Sequence, residues 1–205
     1  MKLFRFLFTL SFATAFATVG FGQILGTAHD FSGDAWNSSG EICIVCHTPH
    51  DGDLTVLESP LWNHEITSAV FTLYSGSTLD ATLAQPSAES QLCLSCHDGT
   101  VALDSYGGTT GIIFITGGGL VGTDLSNDHP ISFTYDAALV TADGGLHDPT
   151  TALSGMPGGG TISDDLLFGG EMQCASCHDV HGTGFTSLLR VDNAGSALCL
   201  TCHDK

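Results

Sequence analysis

Four copies of Cys-x-x-Cys-His stand in this chain: Cys43-Ile44-Val45-Cys46-His47, Cys93-Leu94-Ser95-Cys96-His97, Cys174-Ala175-Ser176-Cys177-His178 and Cys199-Leu200-Thr201-Cys202-His203. Together they use all eight cysteines. The pattern reads as a c-type haem attachment site. Two thiols add across the vinyl groups of one porphyrin, and the adjacent imidazole becomes the proximal ligand of its iron. The expected cofactor is therefore four haem c, held by Cys43, Cys46, Cys93, Cys96, Cys174, Cys177, Cys199 and Cys202. His47, His97, His178 and His203 are the proximal ligands. Two cysteine knuckles can also close a tetrahedral zinc site, and an exported chain can pair its cysteines as disulfides. Neither alternative has a use for a histidine after every second cysteine.

Six histidines remain: His29, His50, His64, His129, His147 and His181. Four six-coordinate irons need four distal ligands, so the surplus fits bis-histidine ligation. That coordination gives low-potential haems without an open position, which points to electron transfer and away from an enzyme. Methionine is a poor alternative, because only Met156 and Met172 lie beyond the first residue. The distal candidates are His29, His50, His64, His129 and His181, with His147 ranked last. His50 and His181 each lie three residues beyond a proximal histidine, placed to reach a neighbouring haem.

The elements that must hold these groups are sparse. Glycine, serine, threonine and aspartate separate short apolar runs, and few stretches keep a helical period beyond two or three turns. Short helical turns are expected to carry each motif. A helix is expected over Glu65 to Tyr74, with Ile66, Val70 and Leu73 on one face. Ile112 to Ile115 reads as an extended segment before a glycine triplet, and Gly155 to Gly160 as a loop. The motifs form two similar pairs. Each leading site continues as Cys-His-x-x-His, and each trailing site reads Leu-Cys-Leu-(Ser/Thr)-Cys-His-Asp, at Leu92 to Asp98 and Leu198 to Asp204. Such an internal repeat predicts one domain over 23–205, containing two related dihaem units at about 23–110 and 126–205. The expected fold is mostly coil with short α-helices and minimal β, wrapped around the porphyrins as the core. The apo-chain should then be largely unfolded.

Residues 1–22 read as a signal peptide: Lys2 and Arg5 precede a mainly apolar run from Leu3 to Phe21, followed by small residues. Cleavage after Gly22 would leave Gln23 first. The run is too short and too interrupted for a membrane anchor, and no later stretch approaches spanning length. Export suits covalent haem attachment. Removing the segment leaves Arg190 and Lys205 against 22 acidic side chains, a formal charge near -20. Nucleic acid and anionic membranes are therefore poor partners, and self-association would need screening or bound cations.

Several longer strings resemble one family. They are Cys46-His47-Thr48-Pro49-His50, Pro60-Leu61-Trp62-Asn63-His64, Leu92 to Thr100, Asp128-His129-Pro130-Ile131-Ser132-Phe133 and Cys177-His178-Asp179-Val180-His181-Gly182. They are similar to the doubled Cys-x-x-Cys-His multihaem cytochromes, and most similar to tetrahaem members that polymerise into extracellular filaments in metal-respiring bacteria. The likeness runs from about His29 to the C-terminus. Gly107 to Leu125 and Thr141 to Gly169 carry little of it. The resemblance implies a continuous haem chain with alternating parallel and T-shaped pairs, bis-histidine irons, and protomers joined end to end as a homopolymer. It also implies that His29 ligates a haem of the neighbouring protomer. The expected function is long-range electron transfer through a secreted extracellular filament, toward other redox proteins or extracellular acceptors. The alternative is a soluble monomeric tetrahaem shuttle, periplasmic or extracellular.

Overall fold

Turns and side chains, rather than long ladders, close most of the backbone hydrogen bonds in this chain. In the computed structural model the described residues are 23–56, 59, 61–182 and 184–204. The expected signal segment, 1–22, lies outside them. The described helices are α1 (Ala88–His97), α2 (Ala137–Asp143), α3 (Ile162–Asp165), α4 (Cys174–Cys177) and α5 (Ala197–Cys202). Two short strands, β1 (Phe133–Thr134) and β2 (Glu171–Met172), pair antiparallel with Phe133 opposite Met172 and Thr134 opposite Glu171. The fold is thus coil and short helix with minimal sheet, as the sequence leads one to expect. Among the described residues no helix is long and apolar enough to cross a membrane.

Local chemistry fixes where the helices begin. Asp136 accepts from the amides of Ala138 and Leu139 at the start of α2, and Gly144, at φ 69°, ends it. Carboxylate acceptors satisfy amides that have no partner inside the helix, and glycine takes the left-handed turn at low cost. Thr161 and Asp164 form a reciprocal capping box at α3. The longest helix, α1, places Glu89 in its first turn and His97 in its last, matching the helix dipole at both ends.

The segment 65–74 is not a helix. Its backbone is extended and bridges Thr72 to Asp124. Side chains from other segments occupy the groups a helix would have paired internally. The Thr67 amide donates to Ser95 Oγ, and the Phe71 amide and carbonyl are both held by the Gln85 side chain. Phe71 is buried with Leu94 and Leu125, while Val70 stands 82% exposed. Tertiary contacts therefore override the weak helical period. Ile112 to Ile115 forms no strand and carries no regular structure, while Gly155 to Gly160 is loop with turns, as the sequence reading has it.

Two small apolar clusters replace a single large core. One gathers Phe133, Tyr135, Ile162, Leu166, Leu167 and Met172, and the other Phe71, Leu94 and Leu125. Between α1 and α4 lies a buried polar clamp. Ser90 Oγ donates to Gln173 Oε1 at 2.5 Å and accepts from the Cys174 amide at 2.9 Å. Ser132 Oγ donates to the same Gln173 oxygen at 3.1 Å. The second and third motifs are locked against one another by this network.

Candidate haem attachment and ligand site

Each motif begins on a tight helical turn. The second, third and fourth lie on α1, α4 and α5. The first is a turn in which the His47 amide donates to the Cys43 carbonyl at 2.8 Å. The same bond joins His178 to Cys174 at 3.1 Å and His203 to Cys199 at 2.9 Å. Bonds of this i to i-4 kind bring the first cysteine and the histidine onto one side of a turn.

The motifs are also near one another. Cys93 and Cys174 are in side-chain contact, and Cys93 lies within electrostatic reach of Cys46. Cys177 is likewise close to Cys199, and Cys202 to Cys177. Burial pushes the Cys46 thiol up to about 11, the Cys96 thiol up to about 12 and the Cys202 thiol up to about 11. Cys174 moves the other way, to about 7, through hydrogen bonds led by the one from Cys93. Cys43 and Cys199 are the exposed members of the set. All eight thiols are free of disulfides. Among the described residues no group of three or more His, Cys, Asp or Glu side chains converges on a metal-sized point, so the pairs do not assemble into thiolate cages.

Three of the four motif histidines face a second histidine. Ring centroids lie 5.9 Å apart for His29 and His97, 6.1 Å for His47 and His181, and 6.3 Å for His129 and His203. A metal–imidazole bond of about 2 Å puts two rings on opposite sides of one ion at a centroid separation of roughly 6 Å. The interplanar angles of 47°, 21° and 73° are all compatible, because an imidazole can rotate about its bond to the metal.

The second ring nitrogens agree. Nδ1 of His97 donates to the Gly119 carbonyl at 2.6 Å, Nδ1 of His129 to Pro130 at 2.8 Å and Nδ1 of His178 to Ser187 at 2.8 Å. Such a bond orients the ring and leaves Nε2 as the free base for a metal. His29 is held neutral by burial first, and then by His97 and His178, which lower its pKa. Its Nδ1 is buried without a hydrogen-bond partner. A neutral, unengaged imidazole is what an iron requires.

The groups around His129 and His203 also suit a flat apolar body. A cleft of about 220 Å³ lies between them, lined by Tyr74, Phe133, Leu139, Leu146 and Met172. Ile112, Phe114, Leu120 and Val121 stand open to water. Of these, Val121 is tied to the His97 carbonyl at 2.8 Å. On these observations the residues present fit covalently attached iron porphyrin.

The remaining candidates are placed differently. His64 is 2% exposed, with Nδ1 at 2.8 Å from the Glu65 carbonyl and Nε2 at 2.9 Å from that of Ala102. It lies 3.6 Å from Cys96 Sγ and is not opposite a proximal ring. His50 is open to solvent beside Asp51. His147 contacts the fourth motif through its backbone, donating to the Cys202 carbonyl at 2.9 Å. Among the described residues His178 forms no histidine pair of the kind seen at the other three motifs.

Sequence reasoning passed over the groups that aim these rings. Trp62 meets His47 edge-on, with centroids 6.2 Å apart. Asn63 donates to the Ile44 carbonyl at 2.5 Å, which pins the first motif. Gly52 allows the strand-like approach of Asp53 to Trp62, since a Cβ there would sit 2.6 Å from the Leu61 backbone. The clamp residue Gln173 was visible only as the residue before Cys174.

The family model for the doubled CXXCH motif matches residues 169–205. That span holds the third and fourth motifs. The doubled motif is a haem-binding arrangement characteristic of multihaem c-type cytochromes, and this chain is similar to it there. The first two motifs and the histidines before residue 169 lie outside the match. A search of curated proteins finds no match.

Proposed function

We propose that this protein is a tetrahaem c-type cytochrome that carries electrons as a self-contained exported shuttle. The observation that carries the reading is the set of three histidine pairs closed within one chain, above all His29 with His97 at 5.9 Å. A protomer that supplies its own distal ligand at this position does not depend on a neighbour there. Iron porphyrin held by the four motifs would supply one-electron chemistry at potentials set by ligands and surrounding charge. The chain's own part is to fix both axial imidazoles, so that neither moves when the charge on the metal changes. The Gly119, Pro130 and Ser187 carbonyls do this by holding Nδ1 of His97, His129 and His178. Contact between Cys93 and Cys174 supports close passage from the second site to the third, and Cys177 near Cys199 supports passage to the fourth.

The fourth pair follows from the internal repeat. His181, three residues past His178, faces His47. Its repeat equivalent is His50, three residues past His47, which we assign to the iron of His178. On this reading the two leading sites exchange ligands reciprocally, and 23–205 functions as one domain of two related units.

A second reading is the extracellular filament. Its support is that His178 lacks an opposing histidine among the described residues, which leaves its distal position available to a neighbouring copy. The exposed Ile112, Phe114 and Val70 would suit a subunit contact. The deciding experiment is sedimentation and electron microscopy of the exported holoprotein across a range of salt, with covalent haem counted by mass. Monomers carrying four low-spin haems support the shuttle. Long polymers with haem contact across the joint would replace it with the filament.

A further inference from the structure

Charge in this molecule is nearly all of one sign. Arg190 is the single lysine or arginine among the described residues, set against 22 acidic side chains in the whole chain. It is not a loose surface cation. Its side chain is only 17% exposed, its Nε donates to the Ala175 carbonyl at 2.5 Å, and its guanidinium carbon stands 5.4 Å from the centre of the Phe168 ring. Its backbone amide donates to the Cys177 carbonyl at 2.9 Å, and Leu189 bridges His178. The guanidinium is therefore built into the third motif itself. Its acidic partner among the described residues, Asp179, is 4.0 Å away, a loose contact that leaves much of the positive charge uncancelled.

We infer that Arg190 is a positioning charge that makes the haem of Cys174, Cys177 and His178 the highest-potential centre of the protein. The inference rests on the haem-attachment reading above. A half-buried positive charge destabilises the oxidised, more positive iron relative to the reduced one, and the effect grows as water is excluded. Carboxylates act in the opposite sense at every site, so one guanidinium suffices to distinguish the third from the rest. An electron entering at either end would pause at this site, which contacts the second through Cys174 and the fourth through Cys177.

The test is a spectroelectrochemical titration of the four-haem holoprotein. In R190Q one of the four one-electron components should fall to lower potential, with the other three displaced much less. R190K keeps the charge without the planar fork and should stay near the wild type. D179N removes the opposing charge and should raise the same component. Four components unchanged in R190Q would overturn the inference. So would R190K shifting as far as R190Q, since that outcome assigns Arg190 to holding the Ala175 carbonyl rather than to charge. If R190Q does not accumulate, D179N decides alone: a rise in one component supports the inference, and no change defeats it. Peptide mapping of the wild type separates the two levels. Absence of haem from the Cys174–His178 peptide defeats the attachment reading itself.

Discussion

The imidazoles of His47 and His181 stack with centroids 6.1 Å apart and planes 21° from parallel. One belongs to the first motif, and the other follows the third. On the proposed haem reading, a ligand borrowed across that distance in sequence would tie the two halves of the chain together. Once metal joins them, neither half can swing away without breaking a coordination bond.

His181→Ala should therefore leave the iron of His47 high-spin or ligated by solvent, with four haems still covalently attached. Electron paramagnetic resonance of the oxidised protein reads this directly. A spectrum identical to the wild type would remove His181 from the ligand set.

His29→Ala separates the two functional readings. With His29 serving His97 in its own chain, the expected result is a monomeric wild type and a variant that loses one low-spin signal and stays monomeric. Wild-type polymers that dissolve on this substitution would instead make His29 an intersubunit ligand.

Ser90 and Gln173 stabilise the junction of α1 and α4. Replacing Gln173 with alanine removes the buried oxygen to which the Ser90 and Ser132 hydroxyls both donate. The expected cost is about 1–3 kcal/mol for an unsatisfied buried group. Denaturant unfolding of the holoprotein, followed by the Soret band, measures it. An unchanged midpoint would show the clamp to be dispensable.

Gly52→Ala should act on the first motif from outside it. The added Cβ meets the Leu61 backbone, which cannot yield cheaply, and overpacking of this kind costs about 1–3 kcal/mol. The expected result is a lower melting temperature and a perturbed signal from the His47 iron, with the other three unaffected.

Acid should destabilise the loops through named carboxylates. Hydrogen bonds from Thr150 to Asp148 and from Thr161 to Asp164 hold both carboxyls below their ordinary value of 3.8. A depressed native pKa favours the ionised form in the folded chain. The stabilisation is complete above the unfolded value and disappears as pH falls through the lower folded one. Melting temperatures measured between about pH 5 and pH 2 should drop in this window, and less steeply in D148N and D164N.

The attachment sites were legible because covalent chemistry ties residue type to position: two sulfurs and an imidazole must address one ring. The distal partners were not. His29 meets His97, and His129 meets His203, through long-range folding that no local pattern encodes. The helix expected over 65–74 failed for a related reason. Ile66, Val70 and Leu73 carry a helical spacing, yet Gln85 and Ser95 bind that backbone from elsewhere in the chain. Repeat symmetry told which residues are equivalent, but not that His181 would meet His47 across the two units.

The contact between Cys93 and Cys174 has a consequence for how the molecule is made. The thiols that meet between α1 and α4 are only partly accessible to any enzyme that must deliver porphyrin to them, and so are Cys46 and Cys96. Maturation must then run in one temporal order. The exported chain is presented open, each motif is loaded while it is still accessible, and the turns close afterwards.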